Sequence, residues 1–404
     1  MIFDLNGGNM IKKFSIMFVL LLFMLSAGGI ICKKSAFAKA APNSDNEYIQ
    51  TESKSAYLTD ANTGTVIYAK NEKEQRPIAS MCKIMTLLLI FENKDEGKFD
   101  FNTPIPISEG AAGMGGSQIF LEANADYPAE ELIKGIVVAS ANDACVAFAE
   151  YLYGSEDAFV QKMNEKAKQL NMENTCFVNC TGLPKIGQFS CAKDVSIMFR
   201  ELINHKDYFM FSNIWMDEIH HPKDRITEIS NTNKLIKFYD GCDCGKTGFT
   251  GEAGHCLCAS AERSGMRLIS VVVSAPNSKT RFKEVSSMFN YGFANFCNKL
   301  ILEKDKPLEI TVEISGGKKD TLTVSAAQSL YIFSKKNENR VIEFDFIPTE
   351  NVKAPVKTGD VVGKIYAYEN GVEIQSVDMI SNEDVEQATY FDYIKNVIDN
   401  WSIL

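Results

Sequence analysis

From Ser80 to Phe91 the chain reads as a helix that is apolar on almost every side. A helix of that kind belongs in the middle of a large core, so the rest of the fold must be built around it. A hydroxyl and an amine interrupt it at its start, Ser80 and Lys83, three residues apart and therefore on one face. Pro77 and Ser80 read as a helix start, with Ser80 as the N-cap. Taken alone, the pair is explained by a capping serine and a lysine whose stem lies along apolar surface. A nucleophile with its own base is the other reading, and the remainder of the chain decides between them.

The 404 residues can bury a substantial core and form more than one domain. A composition 45% hydrophobic and 23% charged is that of a globular protein. The net charge of -10, with no Lys/Arg-rich stripe, argues against a nucleic-acid partner. Met10-Ile11-Lys12-Lys13 is basic, an apolar run follows over 14–31, and Ser35-Ala36-Phe37-Ala38 offers alanines at the -3 and -1 positions of a cut. That order predicts a secretory signal and processing region over 1–41, with Met10 as the expected start and an uncleaved anchor as the alternative. The mature protein is expected outside the cytoplasm. Most of the eleven cysteines sit singly within apolar or strand-like patterns, so free thiols packed as small hydrophobes are expected rather than disulfides.

Residues 55–60 and 65–69 are strand-like around the turn Ala61-Asn62-Thr63-Gly64, a hairpin. Residues 98–128, with Gly110, Gly113, Gly115 and Gly116, read as loop. Helical spacing runs over 128–138, breaks near Ser140 and resumes over 143–153; 157–170 and 194–203 repeat it. Strands are expected at 254–259 and 266–274, with an amphipathic helix over 281–298. Strands from both ends with helices between them predict an α/β (α+β) catalytic domain over 42–303, a sheet flanked by helices. Short strands at 308–314, 320–324, 341–347 and 361–368 predict a small all-β domain over 304–380. Residues 383–404 are expected to form an amphipathic helix carrying Phe391, Ile394, Val397, Ile398 and Trp401, a candidate membrane anchor. Lys395 is its one basic residue, which weakens attraction to anionic lipid.

Two further triplets bear on Ser80 and Lys83. Ser140-Ala141-Asn142 falls where the helical pattern breaks, and Lys246-Thr247-Gly248 follows Asp243. Each alone is explained by a helix cap or a turn. All three in this order carry the pattern of serine acyl-transferases that react with β-lactams. With them the chain resembles the low-molecular-weight penicillin-binding proteins, serine-type D-Ala-D-Ala carboxypeptidases of peptidase family S11. The likeness extends over nearly all of the expected mature protein. Gly116-Ser117 with Phe120-Leu121, Asp143-Ala144, Gly182-Leu183, Gly187-Gln188 and Arg281 are similar to further family positions. Cys82 stands where threonine is more usual, and Phe249 where histidine is known.

The resemblance implies a penicillin-binding-protein/serine β-lactamase-like transpeptidase fold, and a substrate that is a peptidoglycan stem peptide ending in D-Ala-D-Ala. It implies β-lactams as covalent inhibitors and peripheral contact with the outer face of the cytoplasmic membrane. An alcohol needs a proton acceptor to attack at neutral pH, and Lys83 can serve when burial and the nearby Lys246 keep it neutral. Ser140 is the expected proton relay, and Asn142 the group that binds a substrate amide and holds Lys83. Thr247, with Lys246 and Arg281, offers donors for a terminal carboxylate. The backbone N–H groups of Ser80 and, by resemblance, Phe249, beside Gly248, are the expected oxyanion donors.

The chemistry calls for no cofactor and no metal. A zinc site at Cys242, Cys244, Cys256, Cys258 and His255 is disfavoured because Cys-x-Cys on a strand sends both side chains the same way. Gly245-Lys246-Thr247 fails as a phosphate loop because residue 240 is Asp240. No acid between Cys176 and Ser190 stands ready to activate a deacylating water, which argues against a β-lactamase. A transpeptidase or endopeptidase of the same fold, or a peptidoglycan-binding protein with little turnover, remains as the alternative.

Overall fold

The computed structural model of the chain describes residues 49–394. Strands β1 (Ser55–Asp60) and β2 (Val66–Lys70) form the expected hairpin, with the Thr63 amide and hydroxyl donating to Asp60 Oδ2 in its turn. Two small antiparallel pairs sit in the connections: β3 (Pro104–Pro106) with β4 (Asp126–Pro128), and β5 (Met216–His220) with β6 (Ile226–Ser230). Three long strands, β7 (Cys242–Thr250), β8 (Gly254–Arg263) and β9 (Met266–Ala275), complete an antiparallel five-stranded sheet in the order β2-β1-β9-β8-β7.

Both faces of this sheet are buried. Tyr57, Cys256, Cys258, Val271 and Val273 enter one apolar cluster, while Ala56, Leu58, Leu257, Ala259 and Val272 enter the other. Side chains alternate across a strand, so a doubly covered sheet needs small or apolar residues at successive positions. The first cluster surrounds the helix Lys83–Asp95, in which every residue from Lys83 to Phe91 is buried. Each large apolar side chain so buried contributes about 1.5–3 kcal/mol. The helix Ala192–Leu202 packs on that helix and on the sheet. The helix Ser278–Asn295 covers the opposite face with Val285, Met288 and Phe289.

Beyond it the chain turns to β structure without a break. Strand β10 (Phe296–Leu302) leaves the helix directly, followed by β11 (Pro307–Glu313), β12 (Thr321–Ala326), β13 (Leu330–Lys335), β14 (Glu343–Pro348), β15 (Val361–Glu369) and β16 (Val372–Ser381). β10 pairs with β13, and the others form a sheet ordered β11-β12-β16-β15-β14 around Val324, Ile365 and Met379.

Several expectations change. Lys246-Thr247-Gly248 lies inside β7 rather than in a turn before a strand. The long helix ends at Asn295, and β10, β13 and β16 had no counterpart in the sequence reading. Residues 383–389 are not helical: Val385 bridges Val356 and Gln387 bridges Gly317, and helix begins only at Tyr390. Val397, Ile398 and Trp401, like the expected signal and processing region over 1–41, lie outside the described residues. A bulge between Cys242 and Cys244 sends these two thiols into opposite clusters, against the expectation that they point the same way. Among the described residues no three metal-ligating side chains gather, and no helix is long and apolar enough to cross a membrane.

The ten described cysteines are free, eight of them buried. Unfolded chain starting at residue 42 therefore titrates ten thiols without reductant, and fewer would reveal disulfides. Burial pushes those eight thiols up, Cys145, Cys191 and Cys242 to about 12. Against them stand two buried lysines pushed the other way. An unfolded thiol ionises near ~8.5, so the thiol contribution to stability is complete below that pH and is lost as pH rises toward the folded values. Urea midpoints at pH 8 and pH 10 are expected to fall in that order.

Candidate active site

Ser80 does not cap the helix. It lies within a tight turn, Ala79–Cys82, that precedes Lys83–Asp95 and whose cap is Ile78. Ala79 enters that turn with φ at +47°, a left-handed conformation that a residue with a Cβ adopts at a cost. Two glycines let other segments approach. A Cβ on Gly182 would stand 2.1 Å from Ala79 O and 2.9 Å from Ser80 N, and one on Gly248 would stand 2.6 Å from Ile78 O and 3.2 Å from Ser80 N. The backbone on both sides of Ser80 is thus fixed by close contact with neighbours that cannot carry a side chain.

Lys83 is fully buried, and its Nζ lies 3.1 Å from Ser80 Oγ. Its other partners are Asn142 Oδ1 at 2.6 Å and Thr181 O at 2.5 Å. Asn142 is aimed in turn: its Nδ2 donates to Gly115 O at 2.7 Å, and its N to Ser117 O at 2.7 Å. Lys246 projects from β7, an edge strand, and its Nζ lies 2.7 Å from Ser140 Oγ. Burial is the largest cause lowering the pKa of both lysines, and the charge of Lys83 lowers that of Lys246 further.

Ser140 follows a turn of π-helix, Gly135–Ala139, and has φ of +64°. The break in the helical pattern near Ser140 is real, and it is this wider turn that brings the hydroxyl round to Lys246; such turns recur at functional sites. Thr247 Oγ1 lies 2.9 Å from Thr232 Oγ1. Arg281 is nine-tenths buried, its Nη1 donating to Gly248 O at 3.1 Å and to Cys256 O at 3.2 Å. The Phe249 ring is exposed and stacks on His255, with ring centroids 4.3 Å apart. The Cys82 thiol donates to Asn179 O at 3.3 Å.

Sequence reading missed Thr181 O, Gly115 O and Ser117 O, since backbone carbonyls leave no side-chain signature. It also missed Thr232 and Asn179; Asn179 Oδ1 accepts from the N–H groups of Thr181 and Gly182 and so shapes the loop against Ser80. The only signal for that loop was the pair of dipeptides Gly182-Leu183 and Gly187-Gln188. Beside Ser80 lies a cleft of about 340 Å³ walled by Ile78, Ala79, Gly182, Leu183, Gln188 and Thr250.

A serine bonded to a buried lysine, flanked by a second Ser–Lys pair and an asparagine, defines a serine acyl-transferase site of the penicillin-binding-protein/serine β-lactamase class. Residues 38–277 match the peptidase S11 family, D-alanyl-D-alanine carboxypeptidase, and residues 296–387 match the C-terminal domain of penicillin-binding protein 5. The chain belongs to the peptidase S11 D-alanyl-D-alanine carboxypeptidase family. It is 38% identical to the D-alanyl-D-alanine carboxypeptidase DacF of Bacillus subtilis (strain 168), over 91% of this chain and 94% of that protein. The crystal structure of penicillin binding protein 5 from Haemophilus influenzae is 29% identical with a TM-score of 0.65, covering 84% of this chain and 98% of that one. A peptidoglycan synthesis regulatory factor from Streptococcus pneumoniae is 25% identical with a TM-score of 0.73, covering 84% and 100%.

The fit at Gly182 is testable. Gly182→Ala must push Ala79 and Ser80 aside, and displacing a reacting group by about 1 Å costs on the order of 100-fold. Acylation by a β-lactam is expected to slow by that order, measured as the second-order rate; a parental rate would contradict the packing.

Proposed function

We propose that the protein removes the terminal D-alanine from peptidoglycan stem pentapeptides through an acyl-enzyme on Ser80. One observation carries the assignment of roles. Ser80 Oγ lies 3.1 Å from an amine that is fully buried and bonded only to neutral acceptors. Lys83 takes the hydroxyl proton as Oγ attacks the penultimate carbonyl, which becomes a tetrahedral oxyanion. The N–H groups of Ser80 and Phe249 stabilise that oxyanion. Ser140, bonded to Lys246, relays the proton that Lys83 took to the departing amine as the peptide bond breaks, so that Lys83 and Ser140 both end the step neutral. Asn142 binds the acyl-side amide, while Thr247, Lys246 and Arg281 provide the donor-rich end for the terminal carboxylate. Water then attacks the ester, releasing the shortened peptide and restoring the Ser80 hydroxyl.

A β-lactam enters the same sequence as a covalent inhibitor. The segment 176–190 contains no carboxylate to drive its hydrolysis, which supports a long-lived adduct. Export through residues 1–41 and attachment to the outer face of the cytoplasmic membrane by the C-terminal segment complete the reading. Tyr390 and Phe391, exposed at the start of that segment's helix, support attachment. Co-sedimentation of the full chain with anionic vesicles tests it, and a parental amount bound after truncation at residue 389 would refute it.

A fluorescent penicillin is expected to leave a covalent band on the parent and none on Ser80→Ala. D-alanine release from a D-Ala-D-Ala peptide is expected to vanish with it. Persistence of either in the variant removes Ser80 as nucleophile. The rate of acylation is also expected to rise with pH. Lys83 must be neutral to act, and its folded pKa is lowered, so the rising limb lies below the ordinary lysine value of about 10.4. Lys83→Arg stays protonated and is expected to lose about 10²-fold or more.

A further inference from the structure

Phe120 combines two properties that rarely coincide. Its φ is +60°, an outlier for a bulky side chain, and its ring is 54% exposed although Ile119 and Leu121 on either side are buried. The cause lies beneath it. The buried carboxylate of Asp143 accepts from Ile119 N at 3.1 Å and from Leu121 N at 3.2 Å, both on Oδ2. Two amides that flank one residue converge on a single anion only when that residue turns left-handed, as in backbone nests. From the other side, Arg225 donates through Nη2 to Phe120 O at 2.6 Å and through Nε to Glu122 Oε1 at 3.2 Å. The arrangement holds an apolar ring out in water at the expense of backbone strain, and such strain marks functional sites.

The same segment is part of the site. Gly115 O and Ser117 O hold Asn142, and a Cβ on Gly116 would meet Asn142 Nδ2 at 2.8 Å and Leu183 at 3.5 Å. Phe120 stands three residues farther on in the same segment, with its exposed ring on the loop that holds Asn142, the group that binds the acyl-side amide. We infer that Phe120 is a specificity-determining residue whose ring packs against the stem peptide upstream of D-Ala-D-Ala. Asp143 and Arg225 are positioning residues that keep it presented. The inference rests on the carboxypeptidase reading and adds a contact that the reacting dipeptide alone does not make.

The test compares a stem pentapeptide with N-acetyl-D-Ala-D-Ala, measuring D-alanine release, with penicillin labelling of Ser80 as a check on the chemistry. Phe120→Ala is expected to raise KM for the pentapeptide about tenfold, the scale of one lost apolar contact, with kcat, the dipeptide kinetics and labelling unchanged. Phe120→Gly relieves the left-handed strain and is expected to show the same KM change with an equal or higher Tm. A parental KM for the pentapeptide in both variants overturns the inference. So does an equal loss on both peptides, which would signal a structural role through Asn142. If the parent releases D-alanine from neither peptide, the carboxypeptidase reading falls first and the inference with it.

Discussion

Two lysine amines, those of Lys83 and Lys246, lie inside the protein with neutral partners: a serine, an asparagine and a carbonyl for one, a serine and a carbonyl for the other. An ammonium without a counter-charge is expensive to bury. The protein meets that cost by disfavouring the charge itself, through burial of both groups and, for Lys246, the nearby charge of Lys83. Burial contributes more than the sequence reading allowed, since Lys83 sits on a helix apolar enough to be enclosed on all sides. The long run from Ile84 to Phe91 is therefore part of the chemistry. It supplies the dry surroundings in which an amine is a base.

Holding such groups in place draws on strain elsewhere. Ala79, Ser140 and Phe120 all have positive φ without being glycine, and all three lie on segments that meet Ser80, Lys246 or Asn142. Each is held from several directions: Ala79 by the contacts of Gly182 and Gly248, Ser140 by the π-turn and Lys246, Phe120 by Asp143 and Arg225. Conformations of this kind persist where the surroundings over-determine them. The core clusters on both faces of the sheet give those surroundings their rigidity.

What could be read from the sequence divides along the same physical line. The Ser80 helix, the hairpin and the sheet joining both ends of the domain carried strong periodicity, and the structure shows them. The site side chains were legible because three triplets recur in a fixed order. The parts that escaped have backbone causes. Gly115 O, Ser117 O and Thr181 O have no side-chain signature. The bulge at Cys242 reversed a facing rule that holds only for regular strands. β10 follows its helix directly, Asn295 running into Phe296 with no glycine or proline at the junction to mark the change. At 383–389 residues that would suit a helix are drawn into bridges with Val356 and Gly317, a tertiary override of local preference.

The topology also bears on where an extended peptide can pair with the sheet. β7 is an edge strand, and an uncovered edge invites pairing with any extended chain. Over its first half that edge is covered. Ser212 Oγ donates to Asp243 O, Asn233 crowds Gly245, and Thr232 meets Thr247. Past Thr247 the cover ends, and the Gly248–Phe249 stretch runs by Ser80 along the cleft wall formed by Thr250 and Leu183. On the β7 edge, an extended peptide has room to pair along that stretch. Strand addition would place its backbone against β7 and its reacting carbonyl within reach of the Ser80 turn. The covered half of the edge thus limits how far the peptide can run past Thr247. That limit favours a substrate ending in a carboxylate just beyond the scissile bond over one that continues.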